Sequence, residues 1–233
     1  MDNSLSRRRF LCAAALLSTG ALVPDARAFT PHHQRISPLI VTPFNYDPYN
    51  LGLTSATFVN RDGFLVLHLV KTGPTDDPNY PLGNASGATV TTPGGINTDT
   101  VGSITLSEIG FIISTDSQDG GGAPRFNVYD NLGNYWFFGF NYCQQYGTTT
   151  VPNTVFNQIT VNPANIPLDL TRSYLNTPAF TNSTIVTEID IIFDVGTDEG
   201  KGFADITHVT VNNQVVNFNA QSVHEMKHRP PHP

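Results

Sequence analysis

Two segments of this chain alternate apolar and polar residues with a period of two, which excludes an amphipathic helix at both places. In residues 184–195, Ile185, Thr187, Ile189, Ile191 and Phe193 fall on one face and Val186, Glu188, Asp190, Ile192 and Asp194 on the other. That spacing suits a strand with one side in a core and a mostly polar side toward solvent or a partner. In residues 64–71, Leu65, Leu67 and Leu69 form the expected core face, opposite Phe64, Val66, His68 and Val70. Further β-rich runs lie at 36–44, 54–60, 88–92, 104–114, 125–129, 134–142, 155–161, 203–211 and 214–218. Gly, Pro and Asn/Asp turns separate them, including Arg61-Asp62-Gly63 and Asn212-Asn213, the latter a type I′ pattern. Pro38 and Pro43 confine the first run to a short edge strand. Only residues 220–228 look helical, and Pro230-Pro231 ends them. The expected class is all-β: an antiparallel β-sandwich, jelly-roll-like, with at most one short C-terminal helix.

The N-terminus suggests an address. Arg7-Arg8-Arg9-Phe10-Leu11 precedes an apolar run to Val23 and then Ala26-Arg27-Ala28, the pattern of a twin-arginine export signal with an A-x-A cleavage site after Ala28. The expected signal residues are Arg7, Arg8, Ala26 and Ala28, the expected partner is the twin-arginine export machinery, and the expected destination is periplasmic or extracellular. The apolar run is too short for an ordinary membrane-spanning helix, so no stable span is expected after cleavage. Four Arg and two Asp leave with residues 1–28, which moves the formal net charge from −7 to −9. Such an acidic chain lacks a cation cluster for phosphates, so nucleic acid is not an expected partner. Residues 29–51 read as an irregular lead-in, 52–219 as the sandwich and 220–233 as a His/Pro-rich tail. Cys143 alone remains beyond the signal, so burial and hydrogen bonds, not an internal disulfide, must hold the fold.

Residues 104–142 carry much of the aromatic content and the single Trp. They read as one strand, a glycine-rich loop and a hairpin in the middle of a sheet. With an even loop around Asn131-Leu132, Asn127 pairs with Trp136, and Arg125, Asn127, Tyr129, Asn134 and Trp136 share a face. Aromatic planes stack on sugar rings while Arg and Asn bond hydroxyls, which makes this the candidate ligand surface. Alternatively, Arg125 is structural, lying over Trp136 and Tyr129 with its charge paired to a nearby carboxylate. An odd loop would reverse the register and dissolve the cluster.

Acidic turns offer a second candidate. Asp194, Asp198 and Asp205 could supply calcium with the oxygen ligands it prefers, or could be solvated turn carboxylates. Asp116, Asp119 and Glu199 add to the acidic turns, and no organic cofactor is implied. His224-Glu225-Met226-Lys227-His228 matches H-E-x-x-H, in which two His one helical turn apart bind zinc; the prolines that follow favour an exposed tail instead. Cys143 has no flanking base and reads as a small buried residue; a nucleophilic role would need His68 or His208 beside it.

Gly122-Ala123-Pro124-Arg125-Phe126-Asn127-Val128, with 104–111 before it and 191–198 and 203–212 after it, resembles a group of functionally uncharacterised exported bacterial β-sandwich proteins. The likeness covers roughly residues 64–218. The closing strand is distantly similar to that of galactose-binding-like jelly-roll carbohydrate modules, with His208 near the place of their Asn. The resemblance implies an exported sandwich that binds extracellular carbohydrate and leans away from enzymes. Two alternatives stand beside it: a secreted hydrolase of polysaccharide or peptide using the acidic loops or a metal at the terminal histidines, and a structural assembly protein of the cell surface or extracellular space.

Overall fold

The computed structural model describes residues 39–61, 63–73, 84–91, 104–117, 122–152, 154–171, 177–194, 201–216 and 218. Arg7, Arg8, Ala26, Ala28, Asp198, His224 and His228 lie outside these residues, as does the expected C-terminal helix. In chain order the described strands begin with β1 (Ile40–Tyr46), β2 (Thr54–Arg61), β3 (Phe64–Thr72), β4 (Ala85–Thr91), β5 (Ile104–Thr105) and β6 (Ile109–Ser114). There follow β7 (Arg125–Asp130), β8 (Tyr135–Phe138), helix α1 (Phe140–Tyr146), β9 (Thr148–Thr150), β10 (Phe156–Val161) and the short helix α2 (Leu168–Thr171). The last are β11 (Ile185–Phe193), β12 (Lys201–Val211) and β13 (Gln214–Val216).

The strands form an antiparallel β-sandwich. One sheet runs β1-β4-β11-β7-β8 with β5 on β11; the other runs β2-β3-β12-β6-β10-β9 with β13 on β12. Their inner faces share a single apolar core, in which Phe111 of β6 meets Phe126 of β7 at 5.3 Å between ring centroids. Leu67 and Leu69 lie in that core as the alternation predicts, and Lys71 follows them on the same face, also fully buried. β11 stands in the middle of the first sheet, and β12 has β3 on one side and β6 on the other in the second. Of the hairpin expected at the centre, β7 is interior, between β11 and β8, while β8 is the edge strand, so the expectation holds for one of its two strands.

Four local departures from the expected pattern have identifiable causes. Residues 104–114 are two strands because the chain changes sheets between them: β5 pairs with β11 and β6 with β12 and β10. At that crossing the Asn212 side chain accepts from the Ser107 and Glu108 amides at 2.8 and 3.3 Å and donates to the Thr105 carbonyl at 2.6 Å. It thereby satisfies backbone groups that belong to neither ladder. Asn212 and Asn213 both have positive φ, as their turn requires. In β11 a bulge between Val186 and Glu188 sends Val186 into the core and leaves Ile185 exposed, reversing both assignments, while Ile189, Ile191 and Phe193 remain inside.

The aromatic run that reads as strand to Tyr142 stops at Phe138 and continues as α1. Phe140 and Cys143, about one turn apart, are the buried residues of this helix, and Phe140 stacks on Phe111 at 6.0 Å. The spacing that decides the matter is helical. The edge strand expected within 36–44 is β1, shifted to Ile40–Tyr46; it pairs along its whole length with β4, and Pro43 is accommodated on this edge. The ring of Phe44 crosses β4 at Gly87, where a Cβ would stand 2.6 Å from Phe44 Cζ and 2.5 Å from the Ile191 carbonyl oxygen.

Candidate functional site

The hairpin that shapes the site is closed by Asp130. Its Oδ1 accepts from the amides of Leu132 and Asn134, each at 2.8 Å, and its Oδ2 accepts from Asn134 Nδ2 at 2.7 Å. Gly133 takes φ +84°, a conformation that a Cβ disfavours. With Tyr129 opposite Tyr135 and the Asp130 N–H donating to the Asn134 carbonyl at 3.0 Å, the loop between paired residues is Asn131, Leu132 and Gly133, an odd number. Val128 pairs with Trp136, Asn127 with Phe137 and Tyr129 with Tyr135.

That register moves Trp136 to the core. It is fully buried, its Nε1–H donates to the Pro178 carbonyl at 2.8 Å, and Phe180 meets its ring edge-on at 5.1 Å. Trp136 is thus a packing residue, and its expected place on the ligand face is corrected. Asn134 serves the turn. Arg125, Asn127 and Tyr129 do share the outward face, joined by Tyr135 and Phe137 of β8 and by Glu188 and Asp190 of β11, which pair opposite Tyr129 and Asn127.

This face is graded in chemistry. Tyr129 and Tyr135 lie nearly parallel at 5.5 Å between ring centroids, and Tyr135 meets Phe137 edge-on at 5.1 Å. Beside them Asn127 and Asp190 are sunk to 7% and 8% exposure, and Thr89 Oγ1 donates to Asp190 Oδ1 at 2.7 Å. Burial first, then the Asp190 charge, push the Tyr129 hydroxyl up to about 12; Glu188 adds to the rise while a hydrogen bond with Asn127 opposes it. Arg125 is engaged three ways. Its Nη1 reaches both oxygens of Asp194 at 2.5 and 2.6 Å, its Nε donates to Asn127 Oδ1 at 3.1 Å, and its guanidinium lies over Phe137 at 5.2 Å. Arg125 thus lies over Phe137 rather than over the expected Trp136 and Tyr129, with Asp194 as its carboxylate partner.

Asp194 and Asp205 do not come together. Asp205 lies in β12 of the other sheet, 1% exposed, with His68 Nδ1–H donating to its Oδ1 at 2.6 Å and Arg61 Nη1 donating to Oδ2. Its backbone N–H donates to Ser117 Oγ at 3.0 Å. His68 and Asp205 are direct cross-strand partners, and the Arg61 guanidinium covers Phe203 at 5.3 Å. Among the described residues no three His, Cys, Asp or Glu side chains converge on a point that could hold a metal. Cys143 is buried with its Sγ donating to the Phe138 carbonyl at 3.6 Å, and burial pushes its thiol up to about 12. Facing the core, it is separated from His68, whose cross-strand partners Thr57 and Asp205 lie on the opposite side of the second sheet from its core leucines.

Sequence reasoning set Glu188 and Asp190 on the polar side of their strand without joining them to this face, and missed Tyr135, Phe137 and Thr89 as its members. The pair Asp130 and Gly133 was the available signal, since a short loop with glycine at its last position specifies an odd connection. No family model, no curated protein and no solved structure matches this chain.

Proposed function

We propose that this protein is an exported, non-catalytic binding module whose ligand is extracellular carbohydrate, held on the outward face of β11, β7 and β8. The observation that carries the reading is the juxtaposition of the Tyr129, Tyr135 and Phe137 rings with the recessed Asp190 and Asn127. Flat apolar rings match the C–H faces of pyranosides, and an aligned carboxylate and amide accept from and donate to their hydroxyls. The likeness of the closing strand to galactose-binding-like jelly rolls points the same way. The arginine-rich leader at Arg7 and Arg8 supports a periplasmic or extracellular setting.

The test is binding of the full chain to an immobilised glycan panel, with Tyr135→Ala and Asn127→Ala as variants checked for retained fold by circular dichroism. Each variant should lose affinity about tenfold or more, the effect of one good hydrogen bond or stacked ring. Failure of the parent to bind any saccharide sinks the proposal. One observation favours a second reading, a secreted hydrolase: the His68 imidazole is oriented by a buried carboxylate, as general bases are. Release of reducing ends from a polysaccharide, abolished by His68→Gln, would favour it over the binding module.

A further inference from the structure

Arg125 is the only Lys or Arg on the outward face of the first sheet among the described side chains, since Arg61 and Lys71 belong to the second sheet. Its guanidinium is already held by both oxygens of Asp194, by Asn127 Oδ1 and by the Phe137 ring. A ligand carboxylate or sulfate would have to displace Asp194 to gain a fork-shaped partner. The same ligand would sit beside Glu188 and Asp190, which follow one another along the outward side of β11, opposite Tyr129 and Asn127 of β7. The field of these carboxylates at the aromatic patch is registered by the Tyr129 hydroxyl, whose ionisation both of them oppose. Facing a tyrosine pair stacked at 5.5 Å, they make the patch attractive to cations, which gain from aromatic faces and carboxylates together.

Building on the carbohydrate reading, we infer that this face ranks saccharides by charge: amine-bearing sugars bind more tightly than neutral ones, and uronates more weakly than both. The chemical class is a polysaccharide with free amino groups, which carry a proton in mildly acidic solution. The ring faces supply stacking to any pyranoside, Glu188 and Asp190 add attraction for the ammonium group, and among the described side chains the engaged Arg125 is the one cation an acid sugar would meet there.

The experiment is titration calorimetry of the full chain with three oligosaccharides of equal length: deacetylated chitosan oligomers, their fully N-acetylated counterparts and oligogalacturonate. At low salt in mildly acidic buffer, where the amines are protonated, the deacetylated oligomer should bind about tenfold more tightly than the acetylated one, and the preference should shrink several-fold toward 0.5 M salt because exposed charges are screened. Glu188→Gln should collapse the ratio of the two affinities by several-fold, and it is this ratio that is read, not either affinity alone; its unfolding midpoint confirms that the fold is intact. Equal affinities for all three, or tighter binding of the uronate, would overturn the charge ranking and leave the carbohydrate reading standing. Absence of binding to every saccharide would end both.

Discussion

Replacing Trp136 by alanine separates a packing role from a ligand-binding one. The side chain is fully buried, so truncation removes a large apolar surface and opens a cavity, at a cost of ~3–5 kcal/mol. The lost Nε1–H bond leaves the Pro178 carbonyl unpaired, which places the expected cost in the upper part of that range. With a urea slope of roughly 2–3 kcal/mol per molar, the midpoint should fall by about 2 M. Trp136→Phe keeps an aromatic ring against Phe180 and loses the donor, so it should cost ~1–2 kcal/mol and under about 1 M. Because Trp136 is the only tryptophan, unfolding of both variants has to be followed by far-ultraviolet circular dichroism. A Trp136→Ala protein whose midpoint stays within about 0.3 M of the parent while saccharide binding is lost would refute the buried placement.

Two further outcomes follow from the turn and the thiol. Gly133→Val imposes a β-branched residue at φ +84° and should destabilise by ~1–2 kcal/mol; hydrogen exchange should show loosened amides at Tyr129 and Tyr135, and an unchanged protein would contradict the loop geometry. Cys143 has its folded-state thiol raised from 9.0 to about 12. The folded protein therefore keeps a proton that the unfolded chain releases, and the associated stability, present below pH 9, is lost as pH rises toward 12. At about pH 10.5 the parent should have lost roughly 2 kcal/mol more than Cys143→Ala relative to neutral pH. Parallel pH profiles for the two proteins would show that the thiol is not buried from solvent.

The elements legible in the sequence were those with large apolar side chains in alternation. β3, most of β11, the 54–72 hairpin and the Asn212-Asn213 turn could be read because the core side of each strand is written in Leu, Ile or Phe. β4 was only half visible. Its Ala-Ser-Gly-Ala-Thr-Val stretch is buried throughout, but small residues carry little hydrophobic contrast, and the ring that covers them, Phe44, comes from another strand. The helix α1 was hidden because Phe and Tyr favour strands locally, whereas the packing of Phe140 and Cys143 decides the conformation. The site was misread through one parity error: adding Gly133 to the loop moves Trp136 inward and brings Phe137 out. Asp194 directly follows β11 and Asp205 lies within β12, strands of different sheets, so two acidic residues close in sequence are held apart. That separation depends on topology, which single-sequence patterning does not encode.

The positions of β11 and β12 bear on how the molecule is made. Each is the strand to which the two halves of its sheet attach: β11 joins β4 to β7, and β12 joins β3 to β6. Until residue 193 has left the ribosome the first sheet exists as two unconnected pieces, and until residue 211 has emerged so does the second. A growing chain can form the local hairpins β2–β3 and β7–β8, but their inward edges remain open templates for pairing with other chains. Assembly therefore waits for the two late strands and is dominated by long-range contacts, the regime in which folding is slow. Those edges are closed to such pairing only when the two late strands slide into the gaps left for them.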